Sequence, residues 1–300
     1  MNKLKQRICY CLLALMTLPV NAQINIEHAQ GSLKISQVPQ KVVSFDLASL
    51  DTMDALGIEV IGLPKSFAKG HLAKFSADKY IDVGSLFEPD YEIVAAWQPD
   101  LVIVANRSAK AYKNLAELAA TIDLSTTSDN YVQQIKRNSR KIARIFAKHK
   151  ELENKLRRLD SKIYQVQKLA KTAGNALVIL TNGGKISAYG VGSRFGWVHQ
   201  ELALTPAIKE IKAATHGDPI SFEFILDTNP DWIFVLDRDA AIGKQQGAAQ
   251  ALLDNELINQ SKAAKSNQIV YLNAVNWYIL AGGITALDNS VQEVLSALKK

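Results

Sequence analysis

Arg107 and Arg238 are the residues whose placement most directly suggests chemistry. Each follows an unbroken apolar run, and each comes 15 positions after an acid, Glu92 and Glu223 respectively. In open α/β sheets ligands bind at the carboxyl ends of the strands. Two guanidinium groups at two such ends would point into one cleft. A third arginine, Arg194, sits in the glycine-rich stretch Tyr189-Gly190-Val191-Gly192-Ser193-Arg194-Phe195-Gly196. Three arginines in a partly desolvated cleft repel one another strongly unless an anion of comparable charge lies among them. The predicted chemistry is capture of a compact polyanion.

Other chemistries find less support. The glycine-rich stretch does not read GxGxxG and no Walker lysine follows, so its glycines are assigned to turn geometry. His216, in Ala214-Thr215-His216-Gly217-Asp218-Pro219, and Tyr278, in Asn276-Trp277-Tyr278-Ile279-Leu280, read singly as a surface histidine and a packed tyrosine. No HExxH, CxxC or close group of His and carboxylates supplies a self-contained metal site, which leaves open a site completed by the ligand. Gly192-Ser193-Arg194 falls short of a GxSxG nucleophile elbow, and no residue nominates itself as a general base. The chain therefore reads as a binder and not an enzyme. Two alternatives from other classes are a periplasmic hydrolase using His216 with Asp218, and an adaptor working through a long helix.

The elements that must position these residues are announced by a repeat. The block 89–107 recurs 131 positions later: Tyr91 aligns with Phe222, Glu92 with Glu223, Pro99 with Pro230, Asp100 with Asp231, Val104 with Val235 and Arg107 with Arg238. A repeated helix, Pro-Asp turn, buried strand and arginine indicates two similar lobes around one site. In the first lobe, after a short strand pair within 24–35, residues 41–45 read as a buried strand, with Asp46 capping a helix through Leu47, Leu50, Met53 and Leu56 that stops at Gly57. Residues 60–63 form a second strand, 91–97 a helix, and 101–104 a strand apolar at every position, as expected of a parallel sheet covered on both faces. The second lobe starts with a strand at 175–180. It continues through a loop over 182–196, a helix near 197–202, the repeated block, a strand at 268–272 and an amphipathic C-terminal helix.

Between the lobes, residues 130–171 contain no Pro and a single-sided apolar stripe through Ile135, Ile142, Ile145, Leu152, Leu156, Leu159, Ile163 and Val166. They read as one helical strut of about 40 residues, about 60 Å long. The expected fold is thus α/β: two similar lobes with central, mostly parallel sheets joined by one long α-helix, with the ligand cleft between them. The expected boundaries are 23–129 and 173–300 for the lobes and 130–172 for the connecting helix.

Lys3, Lys5 and Arg7 precede an apolar run from Ile8 to Val20, and Val20-Asn21-Ala22 offers small residues for cleavage. A signal peptide over 1–22, cleaved after Ala22, and a periplasmic location follow. Cys9 and Cys11 both fall inside it, so the mature chain carries no cysteine and no disulfide. Removing three cations and no acid takes the formal charge from +6 to +3, which weakens any case for nucleic-acid binding.

Several of these segments together resemble class III periplasmic binding proteins, which feed iron–siderophore, haem or cobalamin ABC importers: Val42-Val43-Ser44-Phe45-Asp46, Asp82-Val83-Gly84 before Glu88-Pro89-Asp90, the strut, and the duplicated blocks. Within that class, residues 185–190 and 193–196, Thr215-His216-Gly217, 234–238 and Trp277-Tyr278 are similar to the catecholate-siderophore binders of the Campylobacter enterobactin-uptake type. The resemblance implies that Arg107, Arg194 and Arg238, with Lys110, surround a ferric catecholate, and that His216 and Tyr278 ligate Fe(III) together with siderophore oxygens. It implies no intrinsic cofactor. It also implies a monomer that docks on an inner-membrane permease through Glu92 and Glu223. Haem or cobalamin is the alternative ligand within the class, and three arginines argue against a largely neutral corrinoid.

Overall fold

The computed structural model describes residues 23–209 and 217–300. The expected signal peptide, with both cysteines, and His216 lie outside the described residues. A hairpin of β1 (Ile24–His28) and β2 (Gly31–Ile35) opens the chain. The first sheet comprises β3 (Val42–Ser44), β4 (Gly62–Leu63), β5 (Ile81–Asp82), β6 (Leu101–Val104) and β7 (Thr121–Asp123). Its order is β5-β4-β3-β6-β7 and every pairing is parallel. The second sheet holds β8 (Asn175–Asn182), β9 (Lys185–Tyr189), β10 (Thr205–Pro206), β11 (Asp218–Ile220), β12 (Trp232–Asp237) and β13 (Ile269–Tyr271). Its main path is β11-β9-β8-β12-β13, with β10 beside the start of β8. Here β9 runs against both β8 and β11, so the second sheet is mixed.

Two expectations need correction. The stretch 182–196 is not all loop: Gly183 and Gly184, at φ 55° and 81°, make a two-residue turn that sends the chain back as β9. Paired positive φ values suit the right-handed twist of a tight hairpin, which is why glycines stand there. The connecting segment is two helices, Tyr131–Ile145 and His149–Ala170, and not one. Ala147 takes φ 55° and the Lys148 amide donates to Ala143 O at 2.8 Å, which reverses the chain. Arg140 then meets Glu153, and Lys136 meets Asp160, across an antiparallel pair. The longer helix, 22 residues, spans about 33 Å at 1.5 Å per residue.

The repeat is built as the sequence suggests. Helices Tyr91–Trp97 and Phe222–Thr228 are capped by Asp90 and Ser221, whose side chains accept from the amides of Ile93 and Phe224. Both end in a left-handed residue, Gln98 and Asn229. The Asp of each Pro-Asp turn then anchors the start of the neighbouring strand. Asp100 accepts from the amides of Gln40 and Lys41 at 2.8 and 2.9 Å, and Asp231 from that of Asn175 at 2.8 Å.

One apolar core runs from the first sheet into the second through the helices between them. Two carboxylates cross the junction as helix caps. Asp51, buried on helix Leu47–Ala55, accepts from the amides of Thr285 (2.7 Å) and Ala286 (3.3 Å) at the start of helix Ile284–Leu298, and from His71. In the other direction, Glu201 accepts from the Val132 amide with both oxygens, at 2.9 and 3.1 Å. Helix Tyr131–Ile145 has no side-chain cap of its own, so the second lobe supplies one.

Candidate ligand-binding site

Arg107 is aimed by the turn after β6. Asn106 adopts φ 43°, and its amide donates to Ser125 Oγ at 2.7 Å. Ser108 Oγ accepts from the Ala105 amide and donates to Phe45 O. Arg238 starts a four-residue helix capped by Asp237, the last residue of β12. Arg194 stands in a turn whose closure requires glycine: a Cβ at Gly196 would come within 2.5 Å of Gly190 O and 2.9 Å of Gly192 N. Ser193 Oγ is buried and donates to Gly190 O at 2.6 Å, so it serves this turn. Tyr278 lies on a π-helical turn, Val275–Ile279, closed by the Leu280 amide on Val275 O at 2.9 Å. Such turns are frequent at functional sites.

These four residues converge. Arg107 Nη2 donates to Tyr278 O at 2.8 Å and Nη1 to Ile279 O at 3.4 Å. Arg194 Nη2 shares Tyr278 O at 3.0 Å, and its Cζ lies 4.4 Å from the Tyr278 ring centroid. Arg238 Nε donates to the Tyr278 hydroxyl at 3.0 Å and Nη1 to Asn182 Oδ1 at 3.0 Å. One arginine from the first lobe and two from the second thus gather around one tyrosine. Each guanidinium carries five N–H donors, so all three retain donors beyond the bonds named.

The electrostatics follow from this crowding. Burial, then repulsion from Arg194, lowers the Arg107 pKa. Burial alone would raise the Tyr278 phenol, but the Arg238 hydrogen bond and the charges of Arg194 and Arg238 outweigh it, and its pKa lies below the ordinary tyrosine value. Tyr131 shows the opposite balance: burial pushes it up to about 12 despite Arg194 and Arg107 nearby. The region favours negative charge at Tyr278 while keeping Tyr131 neutral. A phenol oxygen is a hard donor, of the kind that suits a hard cation.

Lys110 is exposed on the short turn Ala109–Ala111 beyond Arg107. Glu92 and Glu223 are exposed in the first turns of the matched helices. Three contributors were not legible in the sequence. Asn182 ends β8 and holds Arg238. Lys69 reaches across to the Ile242 carbonyl at 2.8 Å. Behind Arg194, Tyr131 faces Trp197, which stacks on Trp277 at 5.0 Å. The signal for Asn182 was its position before the Gly183-Gly184 turn, which fixes it at a strand end. Lys69 and Tyr131 gave none, because their relevance arises only when the lobes meet.

Relatives bear on what such a site serves. The sequence profile of the periplasmic binding protein family matches residues 42–275. The petrobactin-binding protein YclQ of Bacillus subtilis is 40% identical over 283 residues, covering 93% of this chain and 89% of YclQ. Its crystal structure aligns with a TM-score of 0.88 at 39% identity, over 93% of this chain and 99% of that one. The ferric-anguibactin-binding protein FatB of Vibrio anguillarum is 34% identical over 283 residues, 92% of this chain and 88% of FatB. The crystal structure of the periplasmic catecholate-siderophore binding protein VctP of Vibrio cholerae aligns with a TM-score of 0.85 at 30% identity, over 92% of this chain and 99% of that one. Among the described residues no helix is long and apolar enough to cross a membrane. With two α/β lobes meeting at a shared basic cluster, and a profile match over most of its length, the chain belongs to the periplasmic binding protein family, in its two-lobed class III form.

Proposed function

We propose that this protein captures a ferric catecholate siderophore between its lobes and delivers it to the permease of an ABC importer in the inner membrane. The observation that carries this reading is the convergence of Arg107, Arg194 and Arg238 on Tyr278. Fe(III) held by three doubly ionised catecholates has a net charge of about −3, which matches three guanidinium groups, and their planar forks suit oxygen-rich anions. The relatives named for petrobactin and ferric anguibactin support a siderophore ligand, and VctP, named for catecholate siderophores, supports the catecholate class.

In this reading Arg107 and Arg194 keep their bonds to the Tyr278 carbonyl and offer their remaining N–H groups to catecholate oxygens. When the siderophore occupies only four iron positions, Tyr278 as phenolate and His216 as imidazole complete the coordination. Lys110 adds charge at the rim, and Glu92 and Glu223 engage the permease. The protein works by reversible binding, not turnover. It is exported with cleavage after Ala22 and acts as a monomer in the periplasm.

Native mass spectrometry of protein purified from iron-starved cells tests the reading. A bound ferric catecholate is expected. A co-purified haem, corrinoid or ferric hydroxamate would refute it.

A further inference from the structure

The edge of the molecule that carries the arginines also presents two exposed phenyl rings in acidic surroundings. Phe87 is 65% exposed and Phe224 38% exposed. Their location follows from topology. Strands β5 and β6 are parallel members of one sheet, and β11 and β12 run the same way, since β11 opposes β9 and β9 opposes β8. The helix between two parallel strands must run back, so helices Tyr91–Trp97 and Phe222–Thr228 both begin at the carboxyl edge, beside the turns that carry Arg107 and Arg238. Phe87 lies just before the first helix and Phe224 within the first turn of the second.

Phe87 is held out by a rigid turn. Ser85 Oγ accepts from the amides of Phe87 (3.2 Å) and Glu88 (2.9 Å), and the Ser85 amide donates to Glu88 O at 2.9 Å. Gly84 sits at φ 96°, where a Cβ would come within 2.6 Å of Glu88 O and 2.8 Å of Asp90 N. The Phe87 ring packs edge-on against Phe67, centroids 6.4 Å apart. A backbone fixed this way, with the ring set against Phe67, leaves less ordering to be done when a partner arrives, which favours association.

Charge decides what kind of partner that is. Asp82, Glu88 and Glu92 are exposed within five residues of Phe87 along the chain, and the Lys65 amide donates to Asp82. Glu223 and Asp227 are exposed on the helix that carries Phe224. A trianionic ligand is repelled by these acids, and it is held by the arginines. A protein surface with basic groups beside apolar recesses is complementary to both features.

We infer that Phe87 and Phe224 are apolar anchors for the importer permease, each inserting beside the docking acid of its lobe. This rests on the proposed delivery to a permease and adds what Glu92 and Glu223 alone do not supply, since charged rim contacts mainly govern encounter rate while buried aromatic anchors govern dissociation. The expected partner face on each permease half is an apolar recess flanked by arginine or lysine.

The test measures binding of the ferric bis-catecholate-loaded protein to the importer complex in nanodiscs by surface plasmon resonance. Variants Phe87→Ala, Phe224→Ala, Glu92→Ala and Glu223→Ala are compared, each also titrated with the ferric complex alone. Neither ring belongs to the buried core, so truncation leaves the core residues in place. Each phenylalanine substitution is expected to raise the importer Kd about tenfold, mainly through faster dissociation, with the ligand titration unchanged. Unaltered importer binding by both phenylalanine variants, with loss in the glutamate variants, would overturn the anchors and leave the docking acids standing. Weakened ligand titration in Phe87→Ala would overturn the inference by assigning the ring to the ligand. Unaltered importer binding in all four would overturn the docking face as a whole.

Discussion

Replacing Tyr278 by Phe separates its proposed role as an iron donor from its contacts with the arginines. The substitution removes one oxygen. The ring that lies 4.4 Å from Arg194 Cζ remains, as does the backbone carbonyl that accepts from Arg107 and Arg194 at 2.8 and 3.0 Å. The 3.0 Å bond from Arg238 Nε is lost, and Arg238 keeps Asn182. A hydrogen bond to a charged donor contributes about 1.5–3 kcal/mol when buried. This one is half-buried and Arg238 can turn to water, so a stability loss of about 1 kcal/mol is expected by urea unfolding. For a hexadentate tris-catecholate, whose iron is saturated, affinity should change less than about threefold, which is about 0.7 kcal/mol. For a tetradentate bis-catecholate the variant forfeits a coordinate bond, and a loss of at least about a hundredfold is expected, about 2.7 kcal/mol. Ligation also releases the phenol proton. Below the folded pKa of Tyr278, which lies under the ordinary tyrosine value, wild-type affinity for the tetradentate complex should therefore rise with pH more steeply than that of the variant, by about one decade per unit. Titration by tryptophan fluorescence reads both, since Trp277 adjoins Tyr278. Equal losses for the two ligands, with identical pH slopes, would refute the donor role and leave Tyr278 as a prop for the arginines.

Other consequences follow from the polar contacts that hold helix and strand ends in place. His71 has its pKa raised by the hydrogen bond to buried Asp51, so its contribution is fully present below about pH 6.5 and is lost as pH rises through the higher folded value. The melting-temperature deficit of His71→Ala relative to wild type should accordingly be larger at pH 5.5 than at pH 9, and a deficit independent of pH would contradict this. Glu201→Ala removes the cap on helix Tyr131–Ile145 and should cost about 0.5–2 kcal/mol in denaturant unfolding; no change would mean that the helix end is satisfied otherwise. Gly174, at φ 86°, faces Asp231 so closely that a Cβ would overlap its carboxylate. Gly174→Ala should destabilise by more than about 1 kcal/mol, and a neutral result would show that the Asp231 anchor of β8 is dispensable.

The sequence made most of the first lobe readable because its signals are local. Asp46 caps its helix through the Ser49 amide at 2.8 Å, and Leu101–Val104 is buried at every position, as its composition indicates. The matched arginines were legible for the same reason: a repeat is a comparison of the chain with itself and needs no knowledge of packing. The connecting segment misled because its apolar stripe continues through the bend. Ala147 adopts a left-handed conformation without a glycine to announce it, and the helices are fixed as a pair by side chains such as Lys136 and Asp160, distant in sequence. The glycines of 182–196 suggest a loop, whereas Gly183-Gly184 is itself a hairpin signal that leads into β9. Residues such as Lys69 and Tyr131 acquire a role only from the meeting of elements far apart in sequence, which no local pattern encodes.

In the proposed function the arginine cluster selects a polyanionic ferric catecholate. Fluorescence titration of the mature protein with a ferric tris-catecholate, at about −3 charge, against a neutral ferric trihydroxamate of similar size tests it most directly. Saturable quenching by the catecholate complex is expected, weakening with added salt and on Arg238→Met, with at least about a hundredfold weaker response to the hydroxamate. Equal affinity for the two complexes, or quenching insensitive to Arg107, Arg194 and Arg238 substitution, would contradict it.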